Sequence, residues 1–277
     1  MWQPAKEEFS MSNEEQIAYW SGPVGNTWAA MRERLDKQLD PLGQVTLRAL
    51  APKPGERIAD IGCGAGQSTA QLAAAFAEVI GIDVSTPLIA AARARFPQLQ
   101  FVEADAATYD FGPLDAIYSR FGVMFFVDPL AAFRHFHRSL QPGGRLAFLC
   151  WRAVEQNPIM TVPMSAAISA GVPAPPPGDP FAPGPFAFAD RDRLTSILSA
   201  AGFSGIELSP HDQAIGSNDL DAALDLALQI GPLGRLLREA PQHRDQAIAA
   251  VRRAMADYVV DGLVMMPSAT WIVTARR

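Results

Sequence analysis

The spacing of apolar positions changes twice along the chain. Before about residue 50 they recur at helical intervals. Trp28, Met31, Leu35 and Leu39 alternate with Arg32, Glu33, Arg34, Asp36 and Lys37, which predicts an amphipathic helix. Ser12 or Asn13 is expected to cap the region, with Gln16 placed to reach back. Pro41 is expected to start a second helix ending near Leu50, and Pro52-Lys53-Pro54-Gly55 breaks the chain. From Arg57 short apolar runs alternate with longer helical stretches. Strands are predicted over 57–61, 79–83, 100–103, 115–119 and 145–151, with helices over 67–77, 86–96 and 129–140. Beyond 152 the rhythm is less regular. The proline-rich stretch 153–189 reads as a loop. Helices are expected over 190–201, 220–230 and 242–259, with strands over 203–213 and 270–274.

Strands alternating with helices mean βαβ units, right-handed crossovers and a mainly parallel sheet with helices on both faces. The expected architecture is therefore α/β: a doubly wound, mostly parallel seven-stranded sheet over 51–277, preceded by a helical lid over 1–50. The chain has 277 residues, 49% of them hydrophobic and 19% charged, enough to bury a core without disulfides or metal. Cys63 and Cys150 are its only cysteines, too few for a disulfide framework or a four-cysteine zinc site. Met1 to Glu8 has no apolar core and does not read as a signal peptide. The uncharged stretch 156–178 raises the membrane question, but six prolines interrupt it, which excludes a lipid-exposed helix. A cytoplasmic protein with no membrane partner is expected. The formal charge of −6 is a poor footprint for nucleic acid.

The strongest chemical signal is Asp60-Ile61-Gly62-Cys63-Gly64-Ala65-Gly66, which follows a strand and opens a helix. Glycines there permit a sharp turn and close approach of a ligand to the backbone. The nicotinamide dinucleotide pattern would need Gly or Ala at position 67, where Gln67 stands. Further signals end the next strands: Asp83-Val84, then Asp105-Ala106, then Ser119-Arg120-Phe121. Gln141-Pro142-Gly143-Gly144 precedes the fifth strand.

This ordered set resembles the class I S-adenosylmethionine-dependent methyltransferases, and within them the UbiE/Coq5-type branch of small-molecule enzymes. The resemblance is firm over about residues 55–152. It implies S-adenosyl-L-methionine as cofactor and transfer of its methyl group to a small-molecule acceptor. It assigns cofactor binding to Asp60, Gly62, Cys63, Gly64, Gly66, Asp83, Val84, Asp105, Ala106, Ser119 and Arg120. Asp83 would take the ribose hydroxyls, Asp105-Ala106 the adenine edge, and Ser119-Arg120 the methionine part. No catalytic residue and no metal ligand is assigned. Trp20, Trp28, Phe121 and Trp151 are candidates for the cleft and lid, since aromatic faces favour a sulfonium cation. The lid and the 153–189 insert are expected to choose the acceptor.

Plainer readings compete at several positions. Asp83 could cap the helix starting near Ser85. Cys63 reads as packing rather than a nucleophile, and Cys150 as strand core. His135 and His137 are two apart on a helix and point in different directions. His211 would act as a base only if it faced the cleft. Asn157-Pro158-Ile159-Met160 imitates a motif of enzymes that methylate flipped bases, but it follows the wrong strand and lacks the stacking aromatic. A non-catalytic cofactor-binding protein and a nicotinamide-dependent oxidoreductase are the alternatives to methyl transfer.

Overall fold

The computed structural model describes residues 12–75, 77–176, 178–216 and 218–277. The first eleven residues of the predicted lid lie outside the described residues. Three helices open the chain: α1 (Asn13–Ser21), α2 (Pro23–Ala30) and α3 (Arg32–Leu50). An alternating region follows: β1 (Arg57–Ile61), α4 (Gln67–Ala73), β2 (Glu78–Asp83), α5 (Thr86–Arg95), β3 (Gln100–Glu103), β4 (Leu114–Arg120), α6 (Pro129–Ser139) and β5 (Leu140–Trp151). The remainder comprises α7 (Pro158–Ser169), α8 (Arg191–Ala200), β6 (Ser204–Ile215), α9 (Leu220–Ala227), α10 (Gly231–Glu239), α11 (Arg244–Ala256), the short hairpin β7 (Val259–Val260) and β8 (Leu263–Val264), and β9 (Met266–Arg276).

Seven strands form one sheet in the order β3-β2-β1-β4-β5-β9-β6. Neighbours from β3 to β5 run parallel, while β9 is antiparallel to both β5 and β6. The expected mostly parallel, seven-stranded sheet is present. Strand order reverses between β1 and β4, which opens a crevice at their carboxyl ends, where ligands bind in such sheets. The main core packs Phe133, Phe136, Phe148 and Phe188 with Leu146, Leu149 and Val273. A separate apolar cluster joins α7 to α9, α10 and α11 through Ala167, Leu224, Leu233, Val251 and Met255.

Several local expectations are corrected. The cap is Ser12, whose hydroxyl accepts the Glu15 N–H while Glu15 accepts the Ser12 N–H; Asn13 and Gln16 do not form it. Pro41 does not start a helix. It lies inside α3, and the break falls at Met31. Burial of Leu35, Leu39 and Leu42 on both sides of Pro41 holds the helix through its one missing hydrogen bond. The 153–189 stretch is not a plain loop, because α7 (Pro158–Ser169) lies within it. Pro158 sits at the permitted first position of α7, and the dense prolines come after its end at Ser169, beyond Gly171 at positive φ. Pro163 alone interrupts its interior. The helix α10 was not anticipated.

A candidate cofactor and acceptor cavity

Between β1 and α4 the glycine loop makes a tight turn with Gly62, Gly64 and Gly66 all at positive φ. The Gly62 and Cys63 N–H groups donate to the Ile82 carbonyl, which ties the loop to β2. Each glycine answers a different demand. A Cβ at Gly62 would lie 2.7 Å from the Gly122 Cα, and one at Gly66 would lie 2.7 Å from the Phe101 ring; at Gly64 it would meet nothing within 4 Å. The first and third glycines serve packing, and the middle one leaves open space for a ligand.

Asp83 ends β2 facing this loop. One carboxylate oxygen accepts the Gly64 N–H and the other the Ser85 N–H, both at 2.9 Å. A carboxylate offers about four lone-pair positions, so capacity remains for a ligand's hydroxyls. Burial raises the Asp83 pKa above the usual carboxylate value, opposed by these backbone hydrogen bonds. Asp105 divides its oxygens between the Ala107 N–H and the Asn13 side-chain amide of α1. Burial pushes the Cys63 thiol well up, with Asp83 and Asp60 adding to the effect. It stays protonated and is no nucleophile.

These residues line a cavity of about 300 Å³ that runs from the glycine loop into an apolar chamber. Trp20 and Trp28 come from the N-terminal helices, Phe121 and Trp151 from the strand ends, and Met160, Leu226, Met255 and Met266 from α7, α9, α11 and the start of β9. Trp20 sits edge-on to Trp28 and to Phe125 at centroid distances of 5.5 and 5.1 Å. Between loop and chamber Asp36 of α3 binds two guanidiniums, Arg95 at 2.6 Å and Arg120 at 3.1 Å. Arg120 also donates to Gln67 Oε1 at 2.6 Å. This pairing locks α3 to the end of β4.

A family model described as a methyltransferase domain matches residues 59–148. The demethylmenaquinone methyltransferase of Clavibacter sepedonicus is 31% identical over 218 residues, covering 69% of this chain and 84% of that one. The chain belongs to the class I S-adenosylmethionine-dependent methyltransferases. A match to the demethylmenaquinone methyltransferase of Beutenbergia cavernae is 38% identical, but covers 37% of this chain and only 44% of that one. The phosphoethanolamine N-methyltransferase 2 of Haemonchus contortus, solved with S-adenosyl-L-methionine, shares the fold with a TM-score of 0.58 at 17% identity. That likeness covers 95% of this chain and 60% of the other. Membership replaces the nicotinamide alternative.

As a methyltransferase the chain places its anticipated residues unevenly. Gly62, Cys63, Gly64, Asp83, Val84, Asp105, Ala106 and Arg120 line the cavity, as do Trp20, Trp28, Phe121 and Trp151. Asp60, Gly66 and Ser119 are not among its lining residues. Asp60 is fully buried beneath the loop, where one oxygen accepts the Ser68 and Thr69 hydroxyls at 2.7 Å and the other has no partner. Ser119 donates to the Ile61 carbonyl and accepts the Gly122 N–H. These two polar groups shape the turn that the cofactor would face. The open space at Gly64 and the spare capacity of Asp83 fit the nucleoside of the family's cofactor, S-adenosyl-L-methionine.

None of the four histidines lines the cavity. His211 bonds to Gln213 on β6, and His135 to the Tyr109 carbonyl. Asn157 is wholly committed: its amide donates to the Arg152 and Ala153 carbonyls and accepts the Ala269 N–H. It fastens the connection between β5 and α7 to β9. Among the described residues no group of three His, Cys, Asp or Glu side chains could hold a metal ion. Sequence reasoning missed Asp36, whose signal was a carboxylate beside the apolar stripe Leu35, Leu39 and Leu42. It also missed the wall contributed by α9 and α11, for which no motif exists.

Proposed function

We propose that this methyltransferase alkylates a bulky, largely apolar small molecule. The observation that carries this reading is the continuity of one cavity from the glycine loop to a chamber of tryptophan, phenylalanine, methionine and leucine side chains. When bound, the cofactor supplies an electrophilic methyl group that a nucleophile takes by in-line displacement. The protein's part is binding, alignment and exclusion of water. Asp83 and Asp105 would hold the nucleoside through their remaining lone pairs, and Gly64 would admit it against the backbone. Phe121, Trp151 and Trp20 would present π faces to a cation and dry surface to the acceptor.

Helices α1–α3 act as a cover in this reading, with the body of the protein over 51–277. The 153–189 insert contributes α7 to a second cover completed by α9, α10 and α11. Both thiols are buried and unpaired, which suits a reducing cytoplasm. No described helix is long and apolar enough to cross a membrane. The acidic balance supports an acceptor other than nucleic acid.

The test is release of labelled methyl from S-adenosylmethionine to two acceptor sets, fused-ring phenols and thiols on one side and small polar acids on the other. Turnover confined to the polar set would overturn the apolar reading. Cofactor binding without turnover of any acceptor would favour the non-catalytic alternative.

A further inference from the structure

Asn218 lies on the chamber wall, in the connection between β6 and α9. Its backbone is held firmly. The Val264 N–H donates to the Asn218 carbonyl at 2.9 Å. The next residue, Asp219, caps α9 by accepting the Ala222 N–H. Two residues earlier, Gly216 presses on β8 so closely that a Cβ would lie 1.7 Å from the Val264 carbonyl oxygen. Asn218 is therefore anchored through its own carbonyl and through the cap that follows it. Yet the side-chain nitrogen of Asn218 is buried and has no hydrogen-bond partner among the described residues.

An unmet buried amide donor is costly, and its retention needs a reason. Asp36, Asp83 and Asp105 on the same wall each already accept hydrogen bonds, Asp36 from two arginines, Asp83 from two backbone N–H groups and Asp105 from Ala107 and Asn13, and as carboxylates they offer no donor. Around the same chamber Ala223, Leu226, Val264 and Met266 supply apolar surface. Since no described residue accepts a hydrogen bond from the Nδ2 group, rotation of the amide can offer it to a guest without breaking one.

We propose that Asn218 determines acceptor specificity by donating its amide hydrogen bond to an acceptor oxygen. This rests on the apolar-acceptor reading. It narrows the acceptor to a bulky apolar molecule bearing a carbonyl or a comparable oxygen, as opposed to a plain hydrocarbon skeleton.

The test uses the full chain saturated with S-adenosylhomocysteine, with tryptophan fluorescence as the readout, since Trp20, Trp28 and Trp151 line the cavity. Two probes of equal bulk are titrated, 2-acetylnaphthalene and 2-isopropenylnaphthalene, which differ in one carbonyl oxygen. The native chain is expected to prefer the ketone by about tenfold, the scale of one buried hydrogen bond. Asn218→Leu, close in shape, is expected to abolish the preference while keeping homocysteine-cofactor affinity by calorimetry and an unlowered Tm. Equal binding of both probes by the native chain overturns the role of Asn218 and leaves the apolar reading standing. Binding of neither probe overturns the apolar reading and the proposal with it. A ketone preference that survives in Asn218→Leu overturns the proposal, as does a variant with lowered Tm or weakened S-adenosylhomocysteine binding, which would give Asn218 a structural role.

Discussion

Phe121 stacks on Trp151 with ring centroids 4.2 Å apart and planes 14° from parallel. The pair joins the ends of neighbouring strands β4 and β5 at the wall of the cavity. Phe121 reaches that position at φ +64°, in the left-handed region, which costs a residue with a Cβ about 1–2 kcal/mol. The turn is crowded at the next residue as well: a Cβ at Gly122 would lie 2.5 Å from the Ile61 carbonyl oxygen. Strain and ring are separable by mutation. Phe121→Gly and Phe121→Ala both remove the ring, but only glycine relieves the backbone. Phe121→Gly is expected to be more stable than Phe121→Ala by about 0.5–1 kcal/mol, after allowing for the greater unfolded-chain entropy of glycine. Chemical denaturation checks this. Equal stabilities would mean that the turn is unstrained.

Asp83 joins loop to strand and has lone pairs to spare. Asp83→Ala removes both uses at once. Cofactor affinity is expected to fall by about 1–3 kcal/mol, roughly 5- to 150-fold, read by calorimetry with S-adenosylhomocysteine. Asp83→Asn, which retains one acceptor oxygen, is expected to fall between the native chain and the alanine variant. Native affinity in both variants would remove Asp83 from the binding site.

Asp60 gives a pH signature. Burial lifts its pKa to about 6, against hydrogen bonds from Thr69 and Ser68 and attraction to Arg120 that pull it down. A carboxyl that is easier to protonate when folded stabilises the fold at low pH. That contribution is fully present below the unfolded value of 3.8, and it is lost as pH rises through about 6. Its size is about 3 kcal/mol. In Asp60→Asn the amide oxygen can still accept both hydroxyls and carries no proton to titrate. The stability difference between variant and native chain, measured by urea unfolding from pH 3.5 to 7, is therefore expected to shift toward the variant as pH rises. Parallel curves would show that Asp60 does not titrate in this window.

The readable parts of this protein were those with a strict local demand. Strands buried on both faces require apolar runs, so β1 and β5 stood out. A turn at positive φ requires glycine, so the Gly62–Gly66 loop stood out as well. The cap at Ser12 was found one residue out of register for its partner, because Asn13-Gln16 and Ser12-Glu15 satisfy the same spacing. Helix α10 carries Gly231, Pro232 and Gly234, residue types that disfavour a helix interior. In the structure Pro232 occupies the first turn, where it is tolerated. Gly234 is required by close packing, since a Cβ there would sit 2.3 Å from the Gln229 carbonyl oxygen. The acceptor wall was invisible for a different reason. Leu226, Met255 and Met266 lie far apart in sequence and meet only through tertiary packing, and methionine or leucine at helical spacing reads as core in any protein.

Helix α1 of the N-terminal cover bonds to the strand ends through side chains, and the role of α1 and α2 is testable without replacing a cavity residue. Ser85 Oγ donates to the Trp20 carbonyl at 2.7 Å, Ser21 Oγ to the Val84 carbonyl at 2.9 Å, and the Asn13 amide to Asp105 at 3.0 Å. Gly25 in α2 sets the approach: a Cβ there would lie 1.9 Å from the Trp20 carbonyl oxygen, 2.6 Å from Ser85 Oγ and 2.9 Å from Pro87 Cγ. Gly25→Ala must therefore push α2 away from the start of α5. Gly25 itself is not among the cavity residues, and the sheet core does not include it. Overpacking of this kind costs about 1–3 kcal/mol, borne by the closed position of the cover. If the cover retains the bound cofactor, S-adenosylhomocysteine should leave Gly25→Ala about tenfold faster or more in stopped-flow displacement. The unfolding midpoint of the sheet should move much less. An unchanged release rate in a folded variant would mean that α1 and α2 are docked scaffold, and that control of access lies with the second helical cluster.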